Sequence, residues 1–260
     1  MKALVVLIAM VSTVFAEPLG KGKGAVMEFG AAEGDVAQAL VQIAETARMS
    51  LVLVDVPPTT VKLPVGKVPW DIALEEILTT AKLERDGHGP VQIVAPPAWI
   101  AEHKKAKPKH YTGEAIVLQA HDADPAALGQ LLALATGKRI GIAKGQHPVT
   151  MVLRHVAGDE ALDLVIAQSG GAAAEKPAAV AAPGSACVAP NVQSAALKLV
   201  AIAGRGIRGY ALFLDDKGAP VFATKGTCLG SDKAVVAGFF NASSVDLAQG
   251  GATRTIAVPQ

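Results

Sequence analysis

Residues Ala39 to Leu78 return without a gap, 88 positions later, as Ala127 to Ile166, and this internal repeat limits the possible folds more than any other feature of the chain. Leu40 falls on Leu128, Gln42 on Gln130, Ile43 on Leu131, Ala47 on Ala135, Val52 and Val54 on Ile140 and Ile142, and Val61 on Val149. Further along, Asp71, Ala73 and Leu74 fall on Asp159, Ala161 and Leu162. The apolar positions stay in phase through a helical spacing and then through an alternating one, which two merely alanine-rich stretches would not do. A small module is expected to occur twice.

The chain opens with Lys2 and an apolar run from Ala3 to Phe15, with Val14 and Ala16 as small residues before an expected cut between Ala16 and Glu17. The run is shorter than the roughly 20 residues a helix needs to cross a bilayer and fits a secretory signal. Residues 1–16 are therefore expected to direct export and the mature protein to be periplasmic, with no later span. A formal net charge of +1 and an aromatic content of 4% argue against nucleic acid as partner. Cys187 and Cys228 are the two cysteines. In an oxidising compartment a disulfide between them would contribute about 3 to 4 kcal/mol, the alternative being two separate buried thiols.

Within the first copy, Asp35 is placed to cap a helix whose inward face is Val36, Leu40, Ile43 and Ala47. Leu51, Val52, Leu53 and Val54 read as a strand, and Val61, Leu63 and Val65 as a second by alternation, with Pro57 and Pro58 between them. Pro69 and Asp71 open a helix carrying Leu74, Ile77, Leu78 and Ala81, and Val91 to Val94 is a closing strand. Gly20 to Gly24 is expected to be a flexible lead-in. In the second copy Asp124 caps, Pro125 takes the first helical position, and Leu128, Leu131, Leu132 and Ala135 face inward. Ile140 with Ile142, then Val149, Met151 and Leu153, are the expected strand pair. Asp159 starts the second helix, which Gly170 and Gly171 end before any counterpart of the Val91 strand, so this sheet is expected to be smaller or completed by a neighbour.

Lys104, Lys105, Lys107 and Lys109 mark a solvated linker, with contact to an acidic surface as the alternative. The Ala, Gly and Pro of 171–190 read as a tether. From Asn191 onward the strand signals are Leu199 to Ile202, Tyr210 to Leu214, Pro220 to Ala223, Ala234 to Phe239 and Val245 to Leu247. The expected fold class is α+β. Two small α/β modules at 25–95 and 113–170 are followed by a small all-β domain at 191–260, with linkers at 96–112 and 171–190.

Gly204, Gly206 and Gly209 spell a dinucleotide-binding pattern, but a strand and turn follow where that motif needs a helix N-terminus, so the glycines are expected in a hairpin. The six histidines form no metal-ligand spacing with carboxylates or cysteines, and no serine sits in a glycine elbow. Asp122 and Asp124 could be paired carboxylates, although Asp124 suits a helix cap; Trp70 and Trp99 could face a ligand, although Trp70 suits the core. Neither catalysis nor a cofactor is expected.

The segment Val36 to Val94, with Val68-Pro69-Trp70-Asp71-Ile72-Ala73-Leu74 and Val91-Gln92-Ile93-Val94, resembles the secretin and TonB N-terminal short domain. The stretch from Ala115 to Ser169 resembles a second copy that keeps Val156, Asp159, Ala161 and Leu162 and lacks the tryptophan. The last segment is similar to the periplasmic β-domain of the pilus assembly lipoprotein PilP and to the homology region of type II secretion protein C. Leu197, Leu199, Val200, Ala211-Leu212, Gly218, Val221-Phe222, Gly226, Leu229-Gly230 and Val245 to Leu247 carry that similarity. It departs at Thr227, where an acidic residue is common, and at Ala234, where a glycine is.

These resemblances imply a non-enzymatic accessory subunit that binds a secretin ring or its inner-membrane platform in a type IV pilus or type II secretion-like machine, rather than the channel itself. The expected contacts are sheet edges at Leu51, Val52, Leu53 and Val54, at Ile140 and Ile142, and at Val221, Phe222 and Ala223. Self-association through such edges is a further expectation. A TonB-pathway signalling module, or a periplasmic module binding peptidoglycan or a small ligand, are the alternatives.

Overall fold

The computed structural model describes residues 22–88, 91–103, 111, 113–143, 145–174, 186–205, 208–240 and 243–259. The first repeat copy contains β1 (Val26–Met27), β2 (Glu33–Asp35), α1 (Val36–Ala47), β3 (Ser50–Leu53), β4 (Thr60–Lys62), β5 (Val68–Pro69), α2 (Trp70–Ala81), β6 (Glu84–His88) and β7 (Val91–Ala95). After α3 (Pro97–His103), the second contains β8 (Ala115–Ala123), α4 (Pro125–Thr136), β9 (Val149–Ala157) and α5 (Gly158–Ser169). The last segment has a single 3-10 turn at Ser194–Ala196 and then β10 (Lys198–Arg205), β11 (Arg208–Leu214), β12 (Pro220–Thr224), β13 (Cys228–Leu229), β14 (Ala234–Phe240), β15 (Ser244–Gln249) and β16 (Ala252–Ala257). The architecture is mixed α and β.

The helices start and stop where local chemistry dictates. Asp35 accepts a hydrogen bond from the Gln38 N–H at the head of α1, and Asp124 accepts one from Ala127 at the head of α4, where Pro125 needs no backbone partner. Gly137 and Gly170 end α4 and α5 in the left-handed conformation, which glycine adopts without steric cost. In α2 the carboxylate of Asp71 is not a cap. It accepts from the N–H groups of Lys23 (2.8 Å) and Gly24 (3.2 Å), fixing the lead-in across the helix start. A β-carbon at Gly24 would lie 2.5 Å from the Trp70 indole, so glycine here serves close approach, and Gly22 to Gly24 is a docked segment rather than a flexible one.

Eight strands from all three segments form one sheet in the order β12-β11-β10-β8-β9-β3-β7-β6. Every neighbouring pair is antiparallel except β3 with β7. The second copy thus supplies the two middle strands, with β10 on one flank and β3 on the other. Side chains alternate across it. Val52, Val54, Leu118, Met151, Leu153, Val200 and Leu212 join the core shared with α4 and α5. Leu51, Leu53 and Val152 instead join the core beneath α1 and α2. Beyond them, β10, β11 and β12 pack with the four-stranded sheet β13-β14-β15-β16 as a sandwich around Phe213, Ile202, Val236 and Leu247.

Several expectations need correction. Ile140 and Ile142 do not form a strand; Ile142 makes an isolated bridge to Ala173. The place beside β9 that such a strand would take is filled by β3 of the first copy. The second strand of copy one stops at Lys62, leaving Val65 84% exposed. Pro97–His103, expected within a linker, is helical and buries Ile100. The glycine-rich motif joins antiparallel β10 and β11, with Gly204 opposite Gly209; its Gly206 lies outside the described residues, as do the expected signal at 1–16, the lysine run at 104–110 and most of the tether.

Candidate functional site

The expected contact segments fall in three very different places. Leu51, Val52, Leu53 and Val54 lie inside the large sheet: β3 is hydrogen-bonded to β7 on one side and β9 on the other, and Val54 N–H donates to Val94 C=O at 2.9 Å. They have no open edge. Ile140 and Ile142 line the packing of α4, where the Ile142 backbone would meet a β-carbon at Gly129 at 2.7 Å. Val221, Phe222 and Ala223 belong to β12, which pairs with β11 on one side and ends the sheet on the other among the described residues.

The two ends of the eight-stranded sheet differ in chemistry. At one end β6 carries Glu84, Arg85 and Asp86, and Arg85 forms an ion pair with Glu75 at 2.8 Å, the kind of charged edge that resists further pairing. At the other, β12 reads Pro-Val-Phe-Ala-Thr with no charge. Phe222 packs toward the α4 and α5 core while Val221 and Ala223 pack into the sandwich, so its side chains are anchored on both faces. What remains open is the strand's outer backbone. Thr224 at its end is held by donation of its hydroxyl to Gly209 C=O at 2.8 Å and by its N–H to the Thr227 hydroxyl at 2.9 Å.

The segment that carries β12 is also crosslinked. Cys187 and Cys228 form the disulfide, Val188 N–H donates to Cys228 C=O at 2.9 Å, and Val188 pairs in parallel with Leu229 of β13. By chain entropy a crosslink across a sequence separation of 41 contributes about 4 kcal/mol. Nearby, Asp232 accepts from the Ser194 hydroxyl (2.7 Å) and N–H (2.8 Å), and the hydroxyl bond above all holds its carboxyl below the usual carboxylate range.

A second feature lies where the two repeat copies meet. A cleft of about 410 Å³ opens at the end of β3, between the head of α1, the turn from β8 into α4, and the approach to β9. Asp35, Asp55, His121, Asp122, His147 and Gln168 supply its polar lining; Val56, Pro57, Pro58 and Pro148 supply apolar walls. His121 Nε2 stands 3.6 Å from Asp122 Oδ2, and Thr150 accepts the Asp122 N–H at 3.1 Å. Among these residues the sequence singles out Asp122 for chemistry, as one half of a carboxylate pair, and Asp35, Pro57 and Pro58 only as a helix cap and a turn. The pair does not exist, because Asp124 caps α4. No group of three or more His, Cys, Asp or Glu is arranged to hold a metal ion among the described residues. Trp99, considered for a ligand face, stacks on His103 one helical turn away, ring centroids 3.8 Å apart, and Trp70 packs against the first-copy core.

No described helix is long and apolar enough to cross a membrane. No protein-family model matches the chain, and a search of curated proteins finds no significant relative.

Proposed function

We propose that this chain is a non-enzymatic, exported accessory protein of the bacterial envelope that docks by its β12 edge on a secretin ring or on the inner-membrane platform of a type IV pilus or type II secretion-like machine. The observation that carries the docking reading is the contrast between the ends of the sheet: a charged, ion-paired β6 and an uncharged β12 whose side chains are fixed on both faces. An added strand would gain backbone hydrogen bonds along β12 without requiring the host to reorganise. The disulfide agrees with an oxidising compartment. The choice of partner rests on the Val68 to Leu74 turn, the Val91 to Val94 strand and the similarity of the last segment to PilP-type domains.

Affinity isolation from envelope extracts at moderate salt, using the tagged full chain, tests the reading. It predicts that a secretin or platform protein is retained and that Pro220→Lys with Val221→Lys abolishes retention while thermal melting shows a folded protein. Retention unchanged by the two lysines removes β12 as the contact. Retention of no envelope machinery, together with intact pili and secretion in a deletion strain, removes the function.

A further inference from the structure

The cleft between the two repeat copies has the construction of a ligand site, and it is independent of the β12 edge. Its lining includes Gln168 in the last turn of α5, a polar side chain only 6% exposed. The amide nitrogen of Gln168 donates to Leu53 C=O on β3 and to Thr150 C=O on β9, the latter at 3.1 Å, so it spans the seam between the copies. Two carbonyl acceptors fix the orientation of the amide, since rotating it would set oxygen against oxygen. The Gln168 Oε1 is then left with no donor among the described residues. Buried acceptors in folded proteins are nearly always satisfied, so this one calls for a donor that the described residues do not supply.

The remaining lining has the same polarity. Asp55 and Asp122 stand on the wall, each holding a positive φ, and Asp35 is the third carboxylate, already accepting from Gln38 N–H at 3.1 Å. No lysine or arginine lines the cleft among the described residues. A cleft with three carboxylates and an unsatisfied amide oxygen favours a donor-bearing cation. Val56 with Pro57, Pro58 and Pro148 offers a wall for a short hydrocarbon stem.

We propose that this cleft binds a primary ammonium group on a short aliphatic stem. Such a group comes either from a free diamine or from the amino-bearing side chain of a peptide. The site goes beyond the docking reading, and its test needs no envelope partner, so either proposal can fail alone.

The test is isothermal titration of the purified full chain with 1,4-diaminobutane and, separately, with Nα-acetyl-lysine methylamide; 1-butanol and butyrate serve as uncharged and anionic controls. Saturable one-to-one binding of at least one amine, with neither control bound, is the expected result, and the tighter amine identifies the source. Amide NMR should show the largest shifts at Asp55, Asp122 and the Gln168 side chain. Asp55→Asn and Asp122→Asn, which keep side-chain size, should each weaken binding about tenfold, the scale of one lost charged hydrogen bond. No saturable binding of either amine, equal binding of butyrate, or unchanged affinity in both asparagine variants with unaltered melting would overturn the proposal.

Discussion

The two copies of the repeat keep the same helices and use their strands differently. Trp70–Ala81 and Gly158–Ser169 are both twelve residues long and lie 88 positions apart, and α1 and α4 are also twelve residues each. In copy two, β8 and β9 form one long ladder, with Ala115 opposite Ala157 and Ala123 opposite Val149. The same ladder in copy one is broken into two short pairs, with Met27 opposite Val68 and Asp35 opposite Thr60, a register that agrees to within one residue after the offset. Copy one then commits β3 to the large sheet, whereas the equivalent Ile140 and Ile142 of copy two stay outside any strand. A module can therefore keep its helical packing and change which strand it shares. Copy two, with two strands among the described residues and foreign neighbours on both sides, depends on the rest of the chain in a way that copy one does not.

The largest test of that asymmetry uses Leu40 and Leu128, equivalent and fully buried positions. Each change to alanine should cost about 2–5 kcal/mol. Leu128→Ala should also speed hydrogen exchange in β10 and β11, because Val200 and Leu212 share its core. Leu40→Ala should leave those strands protected, since its core holds neither residue. Equal protection of β10 and β11 in both variants would break the comparison.

A smaller effect concerns the helix heads. Trp70 in copy one lies under Gly24, while its equivalent Gly158 in copy two would place a β-carbon 2.6 Å from the Thr136 methyl group. Gly24→Ala and Gly158→Ala should each destabilise by about 1–3 kcal/mol in denaturant titration, through crowding at two different partners. Combining Gly158→Ala with Thr136→Ser, which removes the crowding methyl, should recover part of the second loss and none of the first.

The smallest effects are in pH. Backbone donation, from Lys23 first, holds the Asp71 carboxyl below its usual range, so its contribution is present above the unfolded value and disappears as pH falls through the folded one. Acid should loosen the lead-in at Lys23 and Gly24, and Asp71→Asn should abolish that pH dependence. Tyr111 behaves oppositely: desolvation, and then donation to Asp163 at 3.0 Å, raises its phenol to about 12. Its contribution to copy two is complete below the ordinary value of 10.0 and lost as pH rises toward about 12, a dependence that Tyr111→Phe should remove in alkaline melting curves.

The helices of the two repeat copies were legible because their signals are local: Asp35 and Asp124 at the heads, Pro125 inside one, Gly170 beyond another; α3, between the copies, has neither an acidic cap before it nor a glycine after it. Strand type was legible for Leu51 to Val54, but strand position was not. All four residues of β3 are buried, and Leu51 to Val54 is a continuous apolar run that fits two covered faces as well as an edge; the second neighbour of β3 lies about a hundred residues away in sequence. Ile140 and Ile142 misled for the complementary reason: they have strand-forming side chains, but the seat next to β9 is already occupied. The cleft was the least legible feature. It gathers residues from Asp35 to Gln168, and no short motif records that the end of β3, the turn after β8 and the end of α5 converge.

The order of segments across the large sheet follows their order along the chain, and this has a temporal consequence. A polypeptide made or threaded from its N-terminus completes α1, β3 and α2 before Thr150 to Val152 emerge, so one flank of Ser50–Leu53 stays unzipped for the length of about a hundred residues. During that interval the nascent protein exposes a sticky apolar seam that the finished one conceals, and delay between the two copies leaves the chain open to pairing with another of its kind.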